Sequence, residues 1–217
     1  MNISERNKIP AVSVETMRYS DAWTIEHRVS SKELMFRAGK AIYESAEWKE
    51  PVAIVCGKGN NAGDGYVVAR LMREHNIECR IFLISDVFSE DGRYYFDICQ
   101  KLGIPYEMIT EDTVFNNYGS VLDCIFGTGF KGTPGGLAAS AIDAINNSGA
   151  YVVSADINSG LNGDTGLGDK YVISDLTVSI GTYKTGHFLG HADKAIRNKT
   201  NADIGIEIKG NIIWFEQ

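Results

Sequence analysis

The chain has 217 residues, 44% hydrophobic, 23% charged and 10% aromatic, which suits a globular protein with one well-filled core and excludes a fibrous, low-complexity or disordered chain. A formal net charge of -7 with no long run of like charges lacks the basic face that a nucleic-acid partner requires. Met1 to Pro10 is polar and lacks the apolar centre of a signal peptide, and no stretch is long enough to span a bilayer, so a cytoplasmic protein with no membrane partner is expected.

After the polar start, helices are predicted over about Ser13 to His27 and about Ser31 to Glu47. In the second, Leu34, Met35, Ala38, Ala41 and Ile42 recur at helical spacing behind Ser31 as N-cap. From Val52 the pattern changes to short apolar strands, each followed by a glycine-rich loop and an amphipathic helix. The strands are Val52 to Cys56, Cys79 to Ser85, Tyr106 to Thr110, Val121 to Phe126, Tyr151 to Ile157 and Leu176 to Ile180. The helices between them are Gly63 to His75, Glu90 to Leu102 and Leu137 to Asn147. The tail, with Ile204, Ile206, Ile208 and Ile212 to Phe215, is expected to close one edge of the sheet.

These elements predict a Rossmann-like α/β fold, a three-layer α/β/α sandwich with a mainly parallel sheet. No internal repeat or Pro/Gly/Ser linker divides the chain, so residues 1–217 read as one domain, with a helical N-terminal segment over about 13–48 and an α/β core over about 51–217. Cys56, Cys79, Cys99 and Cys124 have no C-x-x-C spacing and read as reduced core thiols. In parallel sheets of this kind ligands bind beyond the carboxyl ends of the strands, where strand order reverses.

Three loops stand there. The first is Gly57-Lys58-Gly59-Asn60-Asn61-Ala62-Gly63-Asp64-Gly65, whose amides lead into a helix N-terminus, a seat for phosphate. Gly57, Gly59 and Ala62 also satisfy the G-x-G-x-x-[GA] fingerprint, with Asp86 placed as a ribose-binding carboxylate would be, a weak signal by itself. The second loop runs from Asp123 through Gly127-Thr128-Gly129-Phe130-Lys131-Gly132-Thr133, and the third is Asp156-Ile157-Asn158-Ser159-Gly160-Leu161-Asn162-Gly163-Asp164-Thr165-Gly166. Ordinary turn chemistry accounts for any one of them but poorly for all three.

Asp64, Asp123 and Asp156 are thereby drawn to one edge, where they would repel a pyrophosphate unless a cation intervened. Asn61 and Ser159 beside Asp123 offer a hard, low-charge oxygen set, suited to an alkali or alkaline-earth ion and unsuited to zinc. Asp64 has an alternative role, stabilising the first turn of its helix. His187 and His191 lie four apart in a glycine-flanked loop without the glutamate of H-E-x-x-H, and Lys184, which could pair with a phosphate or with Asp156, is more often in such a place a solvated surface group.

Together these motifs resemble the YjeF N-terminal domain family, the NAD(P)H-hydrate epimerases. The resemblance rests on Gly57 to Gly65, Asp123 to Gly129, Asp156 to Leu161 and Asp164-Thr165-Gly166. It is joined by Leu34-Met35-Phe36-Arg37-Ala38-Gly39 and by Thr177 to Gly186. It implies interconversion of the R and S forms of hydrated NADH and NADPH, coupled to a separate NAD(P)H-hydrate dehydratase, by a protein expected to be a homodimer through its N-terminal helices. It also implies that Asn60, Asn61, Ala62, Gly63 and Asp64, with Gly127, Thr128, Gly129, Phe130, Lys131, Gly132 and Thr133, bind the substrate. Asp156 would contact the hydrated ring, and Asn61, Asp123 and Ser159 would bind a potassium ion. The sequence departs from the family pattern at Ala62, usually glycine, at Asn158, usually proline, and at Asn162-Gly163.

The chemistry such a substrate demands is simple. Its hydrated carbon bears a hydroxyl and a ring nitrogen, so the nitrogen lone pair expels the hydroxyl, leaves a planar cation, and water returns from the other face. A carboxyl group over that carbon protonates the leaving hydroxyl, deprotonates the entering water and stabilises the cation, and Asp156 is the candidate. Ring opening and reclosure give the same product. Two rival readings stand beside this one: an NAD-dependent oxidoreductase, and a non-catalytic nucleotide-binding or scaffold protein.

Overall fold

The computed structural model describes residues 8–216; residues 1–7 of the polar start and Gln217 lie outside the described residues. Along β2 (Val52–Cys56) all five residues are buried, Val52, Ile54 and Cys56 in one core cluster and Ala53 and Val55 in another. A strand buried on both faces needs cover on both. On the first face, α2 (Ser31–Ser45), α3 (Asn60–Glu74) and α4 (Glu90–Lys101) contribute Leu34, Val67 and Phe96. On the second, α5 (Gly136–Asn146) contributes Ala138, Ala141, Ile142 and Ile145.

The main sheet has seven strands, all parallel to their neighbours: β4 (Tyr106–Met108), β3 (Cys79–Leu83), β2, β5 (Ser120–Cys124), β6 (Tyr151–Ala155), β7 (Leu176–Ile180) and β9 (Lys199–Ala202). The chain starts in the middle at β2, moves outward through β3 to β4, then crosses back to β5 and moves out the other way. The reversal falls between β2 and β5, the point where such sheets open a crevice.

The edge beyond β7 is closed by β9, behind the short α6 (Ala192–Ala195), and not by the tail. Polar Lys199, Thr200 and Asn201 hid this strand, since an edge strand is recruited through its backbone. The tail forms β10 (Ile213–Glu216), antiparallel to β1 (Lys8–Val12), which in turn runs parallel to β8 (Tyr183–Lys184) in a separate three-stranded sheet. The Lys8–Val12 strand was concealed by its lysine and proline, both tolerable in a small outlying sheet.

Helix starts follow side-chain caps. Ser13 Oγ accepts from Thr16 N at 3.1 Å to open α1 (Val14–His27), and Ser30, one residue before the expected Ser31, accepts from Glu33 N at 3.3 Å to open α2. Helix α3 begins at Asn60, three residues earlier than predicted, so much of the first loop is already helix. Gly65 lets α3 lie on the strands, because a Cβ there would stand 2.9 Å from Cys124 Sγ and 3.1 Å from Cys56 Sγ. The four cysteines are free and buried, and no helix among the described residues is long and apolar enough to cross a membrane.

Candidate active site

A cavity of about 650 Å³ opens at the reversal point between β2 and β5. Its floor is made by the first loop, through Lys58, Gly59, Asn60, Asn61 and Asp64, and by the second, through Ile125 to Phe130. Phe126 and Phe130 stack with centroids 4.1 Å apart and form an aromatic wall.

Asp156 follows β6 with φ of +64°, in the left-handed region that few non-glycine residues adopt. The turn is held on both sides: Asp156 N donates to Val178 O at 2.8 Å, and its carbonyl accepts from His187 Nε2 at 2.7 Å. The carboxylate then spans the cavity wall. Oδ2 accepts from Thr128 N at 3.1 Å, and Oδ1 accepts from Lys184 Nζ at 2.5 Å. Gly127 permits the approach, since a Cβ there would sit 3.2 Å from Asp156 Oδ2.

Lys184 is therefore not a solvated surface group. It is 1% exposed, and its ammonium also donates to Ile180 O at 3.0 Å and Ser179 Oγ at 3.4 Å, so all three protons are used. Burial pushes the Asp156 carboxyl up, but the Lys184 charge and hydrogen bond outweigh it and hold the group below the usual carboxylate range. His187 is fully buried, and burial followed by the Lys184 charge brings it down to about 4. It is a neutral imidazole whose Nε2–H serves the Asp156 carbonyl while Nδ1 accepts from Lys184 N at 3.1 Å.

The outer wall comes from α1. Val14, Met17, Arg18 and Asp21 line the cavity at helical spacing i, i+3, i+4 and i+7. Asp164 of the third loop fixes the helix start, its Oδ1 accepting from Val14 N at 2.7 Å. At Gly163 a Cβ would stand 2.5 Å from Val14 Cγ2 and 3.1 Å from Thr128 Cβ, so helix, second loop and third loop meet where no side chain fits. The C-terminal segment backs the helix: Thr24 Oγ1 accepts from Glu207 N at 3.1 Å, Ser20 Oγ accepts from Lys209 N at 2.8 Å, and Ile206 joins the lining.

Asp123 lies behind the cavity, fully buried. Its Oδ1 accepts from Ile125 N at 3.2 Å and Ser159 Oγ at 2.5 Å, and its Oδ2 accepts from Ser154 Oγ and Ser159 N, both at 2.9 Å. Burial still pushes this carboxyl up, with the donors offsetting only part of the effect. Asn61 is buried with neither amide atom hydrogen-bonded among the described residues, and its side chain packs on Gly127. An orphaned amide oxygen in a cavity that Phe126 also lines, with the Phe126 N–H held by Ser159 Oγ at 2.8 Å, suits a hard cation. Among the described residues no three His, Cys, Asp or Glu side chains gather as a softer metal would require.

Of the residues singled out from sequence, Asn60, Asn61, Asp64, Gly127, Thr128, Gly129, Phe130 and Asp156 line the cavity. Ala62 and Gly63 face inward, Ala62 in the core and Gly63 against Met35, where a Cβ would meet Sδ at 2.4 Å. Lys131, Gly132 and Thr133 are exposed outside the lining, with Thr133 Oγ1 donating to Asp169 Oδ2 at 2.9 Å. Asp64 falls in the second turn of α3, past the reach of a first-turn dipole effect, and burial, then Asp156 and Asp21, raise it well above the usual range. Asp86 is exposed and away from the cavity. His187 and His191 serve separate carbonyls, those of Asp156 and Gly168. Of the alternatives open for Lys184, pairing with Asp156 is the one observed, whereas Ile180, Ile206 and the α1 stripe were missed from sequence; the polar residues Arg18 and Asp21 on the same face as Val14 and Met17 were the available signal.

The chain is similar to several known proteins. The family model described as YjeF-related protein N-terminus matches residues 31–186. The NAD(P)H-hydrate epimerase of Lentilactobacillus buchneri is 37% identical over 210 residues, 93% of this chain and 96% of its own. That of Oenococcus oeni is 34% identical over 82% of this chain and 88% of its own. The bifunctional NAD(P)H-hydrate repair enzyme Nnr of Moorella thermoacetica is 36% identical over 65% of this chain, a match that covers 30% of that longer protein. The crystal structure of yeast ynu0 superposes with a TM-score of 0.71 at 18% identity, over 94% of this chain and 99% of that one, a likeness of fold. With its Gly57 to Gly65, Asp123 to Gly129 and Asp156 to Leu161 loops assembled around one cavity, the chain belongs to the YjeF-related protein N-terminus family.

Proposed function

We propose that this protein is an isomerase that interconverts the R and S forms of hydrated NADH and NADPH. The observation that carries the reading is Asp156, a carboxylate held ionised by Lys184 on the wall of a cavity whose floor is two glycine-rich loops. Family membership supports it, as does similarity to proteins named NAD(P)H-hydrate epimerase. The exposed Asp86, outside the cavity, weakens the oxidoreductase alternative.

In this reading the free amides at the start of α3 receive the pyrophosphate, with Lys58 and Arg18 as nearby cations. The stacked Phe126 and Phe130 offer an apolar shelf to a flat ring. The Asp156 carboxylate stabilises the planar cation left by the departing hydroxyl and takes a proton from the entering water, while Thr128 N and Lys184 fix its direction. Asn61, Asp123 and Ser159 would hold a potassium ion, which would supply positive charge to offset the anionic substrate. The protein works with a separate NAD(P)H-hydrate dehydratase, a pairing supported by the fused repair enzymes among its relatives. The exposed Tyr19 and Ile25 of α1 favour a homodimer through that helix.

The test is the rate at which purified R or S hydrated NADH interconverts, followed by chromatography that separates the epimers, with and without the protein. Acceleration above the spontaneous rate is expected. Tight cofactor binding without acceleration would favour the scaffold reading instead.

A further inference from the structure

The α1 wall carries a carboxyl group with no role in the reading above. Asp21 ends the inward stripe of Val14, Met17 and Arg18, and its Oδ1 is closed to solvent without a hydrogen-bond partner among the described residues. A buried polar oxygen left unpaired is destabilising, so its natural partner is whatever fills the cavity. Facing the same space are Asp156 and Lys184 from the ends of β6 and β8, Asp64 from α3, Lys58 from the first loop and Arg18 from α1 itself. Burial, and then the Asp156 charge, push Asp21 up to about 6, against the opposing pull of Lys184. The same lysine keeps Asp156 ionised, so the two carboxyl groups of one cavity are driven toward opposite protonation states, the arrangement that separates an acid from a base.

We infer that Asp21 is a second catalytic residue, acting on the face of the hydrated ring opposite the one served by Asp156. The inference rests on the epimerase reading. Inversion requires the hydroxyl to leave from one face and water to enter from the other, and a single carboxyl group on one wall attends one face. Protonated Asp21 gives its proton to the hydroxyl oxygen, and the C–O bond breaks with its electron pair going to that oxygen, which departs as water. The ring nitrogen lone pair forms the C=N bond of the planar cation. Solvent water then bonds to the carbon from the other face, the C=N π pair returns to nitrogen, and the surplus proton passes to the Asp156 carboxylate. Asp21 is now the anion and Asp156 the acid, the state that runs the reverse reaction, and proton exchange with solvent restores the first.

The test compares wild type with Asp21→Asn on purified epimers of hydrated NADH, after subtraction of the spontaneous rate. The variant is expected to lose about 100-fold in kcat with KM changed less than about threefold. In wild type, kcat should fall as pH rises through about 6 or somewhat above, and this limb should be absent from the variant. Equal kcat in both proteins, or a loss confined to KM, overturns the inference and leaves the epimerase reading standing. A wild-type kcat level from about pH 5 to about pH 8 overturns it without need of a folded variant. Wild-type protein that does not accelerate interconversion overturns the epimerase reading and this inference with it.

Discussion

Lys184 Nζ lies 2.5 Å from Asp156 Oδ1, the lysine 1% exposed and the carboxylate on the wall of the cavity. Each partner justifies the other's charge in a place that would otherwise reject it. Lys184→Met should therefore destabilise the fold by about 3 kcal/mol, because it leaves the half-buried Asp156 carboxylate with the Thr128 N–H but no counter-charge. Adding Asp156→Asn should recover much of that loss in chemical denaturation, while activity stays absent in both variants. A single variant within about 1 kcal/mol of wild type would show that the pair does not govern this region.

His187 gives stability a defined dependence on pH. Its folded value of about 4 lies below the 6.5 usual for an imidazole, so the unfolded chain binds the extra proton first. Its contribution is whole above about 6.5 and is lost as pH falls toward about 4, by roughly 3 kcal/mol in all. Asp21, raised from 3.8 to about 6, works in the opposite sense, stabilising the fold as pH falls through that range. His187→Gln keeps an N–H for the Asp156 carbonyl and removes the titration. Denaturation between about pH 7 and about pH 4 should show a smaller loss for the variant than for wild type.

Potassium should raise the melting temperature more than sodium at equal ionic strength, because a ligand of the folded state stabilises by mass action. Asn61→Ala should abolish the difference, since it removes the one buried amide oxygen without a protein partner at this site, while leaving the Asp123 to Ser159 hydrogen bonds in place. Identical responses of wild type and variant to the two cations would remove Asn61 from the proposed ligand set.

Gly163→Ala tests the junction of α1 with the loops. The added methyl group meets Val14 Cγ2 at a distance that cannot persist and crowds Thr128, so the start of α1 is expected to shift outward. A cost of about 1–3 kcal/mol and a roughly tenfold rise in KM are expected, with a smaller change in kcat. Unchanged melting and KM would mean that the helix start does not set the cavity wall.

The parallel sheet was legible because both-face burial writes itself into apolar runs such as Val52 to Cys56, and the three loops because their glycines and carboxylates stand at strand ends. Lys184 was legible only as one alternative among several, since a lysine after a strand looks solvent-bound until Asp156, 28 residues earlier, is seen to receive it. The α1 wall was hidden for a similar reason: Asp164, 150 residues away from Val14, fixes it from the far end of the chain. At Asn158, where the family pattern has proline, side-chain hydrogen bonds hold the loop in place of a fixed φ. Its Nδ2 reaches Val172 O at 2.9 Å, Ser174 Oγ at 3.0 Å and Ala195 O at 2.9 Å. Such substitution of a network for a ring is invisible to a motif but plain in three dimensions.

Lys8 pairs with Glu216 in the β1 and β10 ladder, which brings residues 208 positions apart side by side. Circular permutation follows naturally: a short glycine linker across that junction, with new ends cut in the exposed Glu111–Asp112 turn, would leave every wall of the cavity attached. Such a permuted protein should turn over as the parent does, whereas cutting the ladder itself would loosen α1 and the Ile206 segment together and open the cavity from the side.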